Sequence, residues 1–275
     1  MTQLGFQLSH PEVNMADKVF PNKSLGQHWL TDKYILNKIA NTANISKEDI
    51  ILEVGPGLGT LTEALSLKAK KVIALDIDLK LIYGLKMKFI SSNVEILNED
   101  ILKFDLTKLP KDYKIVANLP YYLTSHFVQI ISESSNPPLS VTLLIQKEVA
   151  QRLAEKPGKM SLLSVTCQFY WEVELGDIVK SNLFIPPPKV DSQIVYLKRR
   201  SKLILSQEDA KIYFRIVKAG FSQKRKTLQN SLSAGLKRPR DEINELLIKI
   251  HIDPKRRAQT LSLEEWLNIY KQFNT

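Results

Sequence analysis

Asn118-Leu119-Pro120-Tyr121 brings together a side-chain amide, a carbonyl stiffened by the proline that follows it, and an aromatic ring. An aromatic amine is a poor nucleophile, because its lone pair is delocalised into the ring. Two acceptors on its hydrogens draw the nitrogen towards tetrahedral geometry and free that lone pair for attack. The Asn118 side-chain oxygen and the Leu119 carbonyl are such a pair, and Tyr121 offers a face on which an extruded base can stack. Taken alone, the four residues also describe an ordinary turn in which Pro120 ends an apolar strand over 114–117.

Other residues narrow the choice. Residues 50–60 pass from an apolar run through Gly55, Gly57 and Gly59 into the helical pattern of 61–67, a strand, a tight turn and a helix start that let a ligand approach the backbone. The Gly-x-Gly-x-Gly spacing is one residue shorter than the dinucleotide fingerprint, and no Lys-Ser/Thr pair follows to hold phosphate. A nucleoside cofactor without phosphate, S-adenosylmethionine, fits better. A second apolar strand over 71–75 ends in Asp76, about 20 residues after the turn, where a ribose-binding acid belongs. A third, over 94–97, leads to Asp100, placed to accept a hydrogen bond from an adenine amine; the nearby Asp78 and Glu99 read as solvated neighbours. Ligands of open α/β sheets sit at the carboxyl ends of the strands, so Gly55, Asp76, Asp100 and Asn118 should converge on one crevice.

The elements that must carry these residues follow the punctuation. Strands over 50–54, 71–75, 94–97, 114–117 and 141–145 alternate with helical patterns, the rhythm of a parallel sheet, and a helix follows over 146–153. Later strands are expected over 169–175 and 192–197, bracketing a proline-rich loop; beyond Arg200 only helical periodicity remains, over 207–219, 225–232, 240–249 and 263–273. The expected architecture is α/β: a Rossmann-like class I methyltransferase sheet with helices on both faces, plus a small all-helical C-terminal domain. The expected divisions are a mobile N-terminal arm over 1–22, a cofactor-binding domain over 23–200 and a basic helical domain over 201–275.

Charge agrees with that division. The chain carries 39 basic and 29 acidic residues, net +10, and residues 201–275 hold 15 basic against 8 acidic, net +7. A basic module beside a nearly balanced domain points to a polyanionic partner such as RNA. The single Cys167 lies in an apolar stretch and reads as a buried structural thiol. No Cys/His cluster has metal-ligand spacing, so no metal is expected. No apolar run of membrane-spanning length occurs and residues 1–22 lack a signal-peptide core, so a cytoplasmic protein without membrane contact is expected.

Taken together, these segments resemble the ribosomal RNA small-subunit adenine dimethyltransferase family, from about Lys23 to Ser262. The resemblance rests on residues 23–30, 53–60, Asp76, Asp100, 118–121, 184–192, 221–228 and 257–262, in that order. It implies S-adenosylmethionine-dependent dimethylation of the N6 amine of two adjacent adenosines in a loop near the 3′ end of 16S rRNA, within the small ribosomal subunit or its precursor, and a role in ribosome biogenesis. Methyl transfer would be direct and in line, with no covalent enzyme intermediate. His28 and Leu30, in the segment that closes over the cofactor, join Gly55, Asp76, Asp100 and Asn118 as cofactor contacts. Phe184, oriented by the rigid run Pro186-Pro187-Pro188, is expected above the flipped adenine with Tyr121 below. A monomer is expected. Two departures stand out: many members have Asn where this chain has His28, and Glu where it has Asp76. Two other readings share the fold: a large-subunit (23S) rRNA adenine methyltransferase conferring antibiotic resistance, and a catalytically silent RNA-binding assembly factor. The long C-terminal module and the 184–192 segment argue against the first, the intact crevice residues against the second.

Overall fold

Four runs of aliphatic residues form parallel strands buried on both faces, which is why their sequences do not alternate, and a fifth parallel strand, Val94–Asn98, lies half-exposed at the sheet edge. The computed structural model of the protein describes residues 20–202 and 204–273; most of the arm expected over 1–22 lies outside the described residues. In chain order the elements are β1 (Trp29–Leu30), α1 (Lys33–Thr42), β2 (Ile50–Val54), α2 (Thr60–Ser66), β3 (Lys71–Asp76), α3 (Leu79–Lys88), β4 (Val94–Asn98), β5 (Lys114–Asn118), α4 (Thr124–Glu133), β6 (Ser140–Gln146), α5 (Lys147–Leu153), α6 (Leu162–Tyr170), β7 (Trp171–Val179), β8 (Phe184–Ile185) and β9 (Ser192–Arg199). The helices α7 (Gln207–Phe221), α8 (Leu228–Leu236), α9 (Arg240–Lys249) and α10 (Leu263–Phe273) complete the chain.

The main sheet has seven strands in the order β4-β3-β2-β5-β6-β9-β7. The first five are parallel, and β9 and β7 are antiparallel to their neighbours. Chain order reverses between β2 and β5, and that switch point is where an open sheet leaves a crevice. On one face Leu52, Ile115 and Leu143 join a cluster with Phe127 and Ile131 of α4; on the other Ile51, Val116 and Leu144 join Ile39 of α1 and Leu65 of α2. The expected sheet with helices on both faces is thus the observed one. Polar caps set the helix starts: Asp32 accepts from the Ile35 N–H at 3.0 Å, and Asp78 from the Lys80 N–H at 3.1 Å.

Two boundaries differ from the sequence expectation. The aromatic run at 169–171 suits a strand, yet Phe169 and Tyr170 end α6 and the strand begins at Trp171. A capping box, Ser161 with Ser164, starts that helix, and it carries Phe169 into the C-terminal core. Helix α8 likewise begins at Leu228 rather than 225, leaving Lys224, Arg225 and Lys226 in an exposed turn.

The C-terminal helices enclose their own core around Tyr213, Leu232, Leu247 and Trp266, and this core reaches back to Met160, Val165 and Phe169. The helices approach closely because glycines leave room. A Cβ on Gly220 would stand 2.3 Å from the Trp266 ring, and one on Gly235 would stand 2.7 Å from the Cα of Ala219 on the facing helix. Backbone cannot step aside as a flexible side chain can. Gly235→Ala is therefore expected to destabilise the C-terminal helices by about 1–3 kcal/mol, read as a lower thermal midpoint. Cofactor affinity well below the transition should match wild type; an unchanged midpoint would show that α7 and α8 separate without cost.

Candidate active site

The crevice is built where four parallel strands end side by side. After β2 the chain turns through Gly55 and Gly57, with φ of +70° and +57°, into α2. A Cβ on Gly57 would press on the Trp29 ring at 3.2 Å, so this wall has no space for a side chain. Asp76, the last residue of β3, is held from both sides: Oδ1 accepts from the Asp78 N–H at 2.9 Å and Oδ2 faces the Gly57 N–H at 3.4 Å. Burial pushes its carboxyl above the usual range, and the N–H groups of Asp78, Gly57 and Ile77 work against that rise. Beyond β4, Asp100 accepts from the Leu102 N–H at 3.0 Å through Oδ1, which leaves Oδ2 for a ligand.

Asn118 closes β5. Its Nδ2 donates to the main-chain carbonyl of His28 at 3.2 Å, so the amide oxygen turns away from that contact. Among the described residues no hydrogen bond reaches either Asn118 Oδ1 or the Leu119 carbonyl, and both residues line the crevice. The arrangement offers two free acceptors at adjacent positions, as an amine with two hydrogens requires. Leu119 itself is anchored, its N–H donating to the Leu144 carbonyl at 3.3 Å. Pro120 leads into a 3-10 turn over Tyr121–Leu123. The Tyr121 hydroxyl lies 3.0 Å from Ser192 Oγ on β9, and its ring stacks on His28 with centroids 5.8 Å apart.

Of the ten residues expected at the site, nine border this crevice: His28, Leu30, Gly55, Asp76, Asp100, Asn118, Leu119, Pro120 and Tyr121. Phe184 does not. It is 2 % exposed, pairs with Leu30 through the two-residue strands β1 and β8, and fills a core with Leu36 and Ile194. The expected sandwich of a base between Tyr121 and Phe184 is therefore not made; pairing across more than 150 residues of chain turns the ring inward. His28 also differs in use. Its Nδ1 lies 2.7 Å from the Pro186 carbonyl, which can only accept, so Nδ1 carries the proton. Ring and carbonyl together tie the proline-rich loop, Tyr121 and Asn118 to one residue.

Two groups, Trp29 in the crevice wall and Glu53 behind it, lie inside the motif segments 23–30 and 53–60 but are not singled out there. The Trp29 ring is 8 % exposed and its indole N–H has no acceptor among the described residues. Glu53, one strand position before Val54, is 1 % exposed with neither oxygen in a hydrogen bond. Burial pushes its pKa to about 8, with Asp76 adding to the rise; Thr62 lies near enough to temper it but outside hydrogen-bond geometry. A charged-type residue inside an otherwise apolar strand was the visible signal. Among the described residues no group of three or more His, Cys, Asp or Glu side chains is arranged to hold a metal ion.

Comparison with known proteins shows which family this chain belongs to. The family model for ribosomal RNA adenine dimethylases matches residues 20–275. The chain belongs to the ribosomal RNA adenine dimethylase family. Proteins named ribosomal RNA small subunit methyltransferase A are similar to it at 41 % identity in Bacillus mycoides, over 90 % of this chain and 89 % of that protein. In Clostridioides difficile the identity is 42 %, over 92 % and 91 %. Among solved structures, a dimethyladenosine transferase from Plasmodium falciparum superposes with a TM-score of 0.78 at 28 % identity, covering 90 % of this chain and 98 % of that one. The 23S rRNA methyltransferase ErmE superposes with a TM-score of 0.74 at 29 % identity, over 90 % and 100 %. The dimethylase uses S-adenosylmethionine, which agrees with a crevice bordered by two acids with acceptor capacity and a glycine turn without room for side chains.

A neutral Glu53 has a measurable signature. A carboxyl whose folded pKa, about 8, exceeds the ordinary value of 4.5 holds its proton more tightly when folded. Its contribution to stability is then greatest below the ordinary value and is lost as pH rises towards 8. Glu53→Gln should gain on wild type across that window, by up to about 1.4 kcal/mol per pH unit, and keep a constant difference below it. Denaturant unfolding at a series of pH values checks this, and a difference independent of pH would mean that Glu53 is ionised in the fold.

Proposed function

We propose that this dimethylase acts on the small ribosomal subunit or its precursor, converting the N6 amines of two adjacent adenosines in a loop near the 3′ end of 16S rRNA to dimethylamines. The observation that carries the reading is the disposition of Asn118: with Nδ2 held by His28, Oδ1 and the Leu119 carbonyl stand free together. S-adenosylmethionine supplies the methyl group as a sulfonium, whose positive charge is lost on transfer. Asp76 accepts from the ribose hydroxyls and Asp100 from the adenine amine of that cofactor. Tyr121, fixed by Ser192 and His28, offers one face to the target base.

Asn118 Oδ1 and the Leu119 carbonyl hold the two amine hydrogens and aim the lone pair, so positioning does most of the work and no side chain needs to form a bond to substrate. No general base is needed before attack, because the N-methylated cation is strongly acidic and gives its proton to water or to the Leu119 carbonyl. A second round uses the one remaining hydrogen on the monomethyl amine, still accepted by Asn118.

The small-subunit target is favoured over the large because relatives at 41 % and 42 % identity carry the small-subunit name, against 29 % for the large-subunit enzyme of similar fold. The lobe of four C-terminal helices fits that target, with Lys224, Arg225 and Lys226 exposed for phosphate contact. One chain furnishes every group of the crevice, so we infer a monomer at work in the cytoplasm; among the described residues no helix is long and apolar enough to cross a membrane.

Two substitutions test the roles separately. Asn118→Ala should lower the single-turnover methylation rate at saturating cofactor by on the order of 100-fold or more, with the fold intact. A saturated rate equal to wild type would remove Asn118 from the chemistry. Asp76→Ala should weaken S-adenosylmethionine binding by roughly 1.5–3 kcal/mol in a calorimetric titration. Equal affinities would place the ribose elsewhere.

A further inference from the structure

A cavity larger than the crevice lies elsewhere among the described residues. At the opposite, amino end of the parallel strands, a groove of about 960 Å³ runs between the sheet and α7. Its position follows from the register: Trp171 and Arg199 pair there, beside Ser140, which pairs with Lys114 at the start of β5. Asn118 lies four residues further along that strand, roughly 13 Å away at the strand rise.

One wall is α7, from which Lys211, Arg215 and Lys218 line the groove. They lie four and three residues apart on one helical face, all exposed, and no ion pair engages any of them among the described residues. Like charges so spaced destabilise a helix unless something of opposite sign covers them. The groove's fourth cation, Arg199, is by contrast occupied, donating to Asp112 at 2.7 Å and to the Pro137 carbonyl at 2.8 Å. The one acid of the lining, Glu133 at the end of α4, accepts from Gln129 at 3.0 Å.

The floor is apolar and aromatic. Tyr170 is half-buried and stacks on Phe214 with centroids 5.8 Å apart, and Leu205 borders them. Burial, aided by Glu133, pushes the Tyr170 phenol up to about 12, so it stays a neutral donor. Unpaired cations along one wall and a partly open aromatic floor are the elements of a nucleic-acid groove. The stripe also continues, since α7 leads directly into the exposed turn of Lys224, Arg225 and Lys226.

We propose that this groove is a second RNA-binding site, distinct from the catalytic crevice, which seats the phosphodiester backbone of the substrate rRNA on Lys211, Arg215 and Lys218 with a sugar or base against Tyr170 and Leu205. The proposal rests on the rRNA substrate inferred above. It makes the enzyme grip its target at two places on opposite ends of the sheet.

The test uses the full chain carrying K211A, R215A and K218A together, all exposed positions outside the catalytic crevice. Binding to small-subunit precursor particles is measured across a salt series, beside wild type and a K224A, R225A, K226A variant. Each lost phosphate contact should lower the slope of log affinity against log salt by about 0.7–0.9. The groove variant should therefore lose about two units of slope and at least about tenfold in affinity, with S-adenosylmethionine binding unchanged. A wild-type slope in the groove variant, where the turn variant loses slope, overturns the proposal. Failure of wild type to methylate any adenine would instead strike the function, and the slope comparison would still judge the groove.

A second measurement identifies the occupant. Ser135→Cys, on the groove's exposed edge, can carry a photo-crosslinker, because the native Cys167 is fully buried and its thiol is pushed up to about 12. A crosslink to rRNA in the particle is expected. Crosslinks only to ribosomal protein, or none, would overturn the assignment to RNA.

Discussion

A primary amide has a donor end and an acceptor end, and His28 fixes which way round Asn118 sits because its main-chain carbonyl takes the donor. The amide oxygen is then left unpaired in the crevice. The same histidine donates from Nδ1 to the Pro186 carbonyl and lays its ring along Tyr121, whose hydroxyl meets Ser192 on β9. Two stretches of chain distant in sequence, 118–121 and 186–192, are thus referenced to one residue before the short strand β1. Remove that reference and the strand ends would still align, but the acceptors would lose their aim.

The carboxyl groups around the crevice show how one environment supports opposite states. Glu53 and Asp76 sit near each other under similar burial, and burial raises both. They differ in partners. Asp76 meets backbone N–H groups that favour the charged form, while Glu53 meets none and keeps its proton. Neutrality at Glu53 spares Asp76 a like charge, so the single negative charge of the pair sits on the residue that lines the crevice.

Much of this was legible in the sequence because buried parallel strands announce themselves as apolar runs, and the residue that ends each run marks the crevice. Gly55, Asp76, Asp100 and Asn118 could be placed that way without coordinates. The 169–171 run was not legible: its aromatic residues suit a strand, and only the Ser161–Ser164 cap and the fit of Phe169 against Tyr213 and Phe214 make its first two residues helical. Phe184 was hidden for another reason. Its neighbour Leu30 is remote in the chain and both strands are two residues long, too short for any pattern to show. The groove below the sheet left only a trace, the excess of basic residues after 200, since an i, i+4, i+7 stripe reads equally as a solvated helix face.

Helix α6 belongs to two cores at once. Cys167, with Trp171 just beyond the helix, joins the cluster under the sheet, while Val165 and Phe169 join the cluster of the C-terminal helices. A cut at residue 200 would strip Phe169 of its aromatic neighbours on one side and leave Tyr213 facing water on the other. The two lobes therefore share a core through α6, so opening of the C-terminal helices is felt as lost order beside the sheet. A strain applied to the C-terminal helices is thus transmitted through α6 to the sheet, not absorbed by a slack hinge.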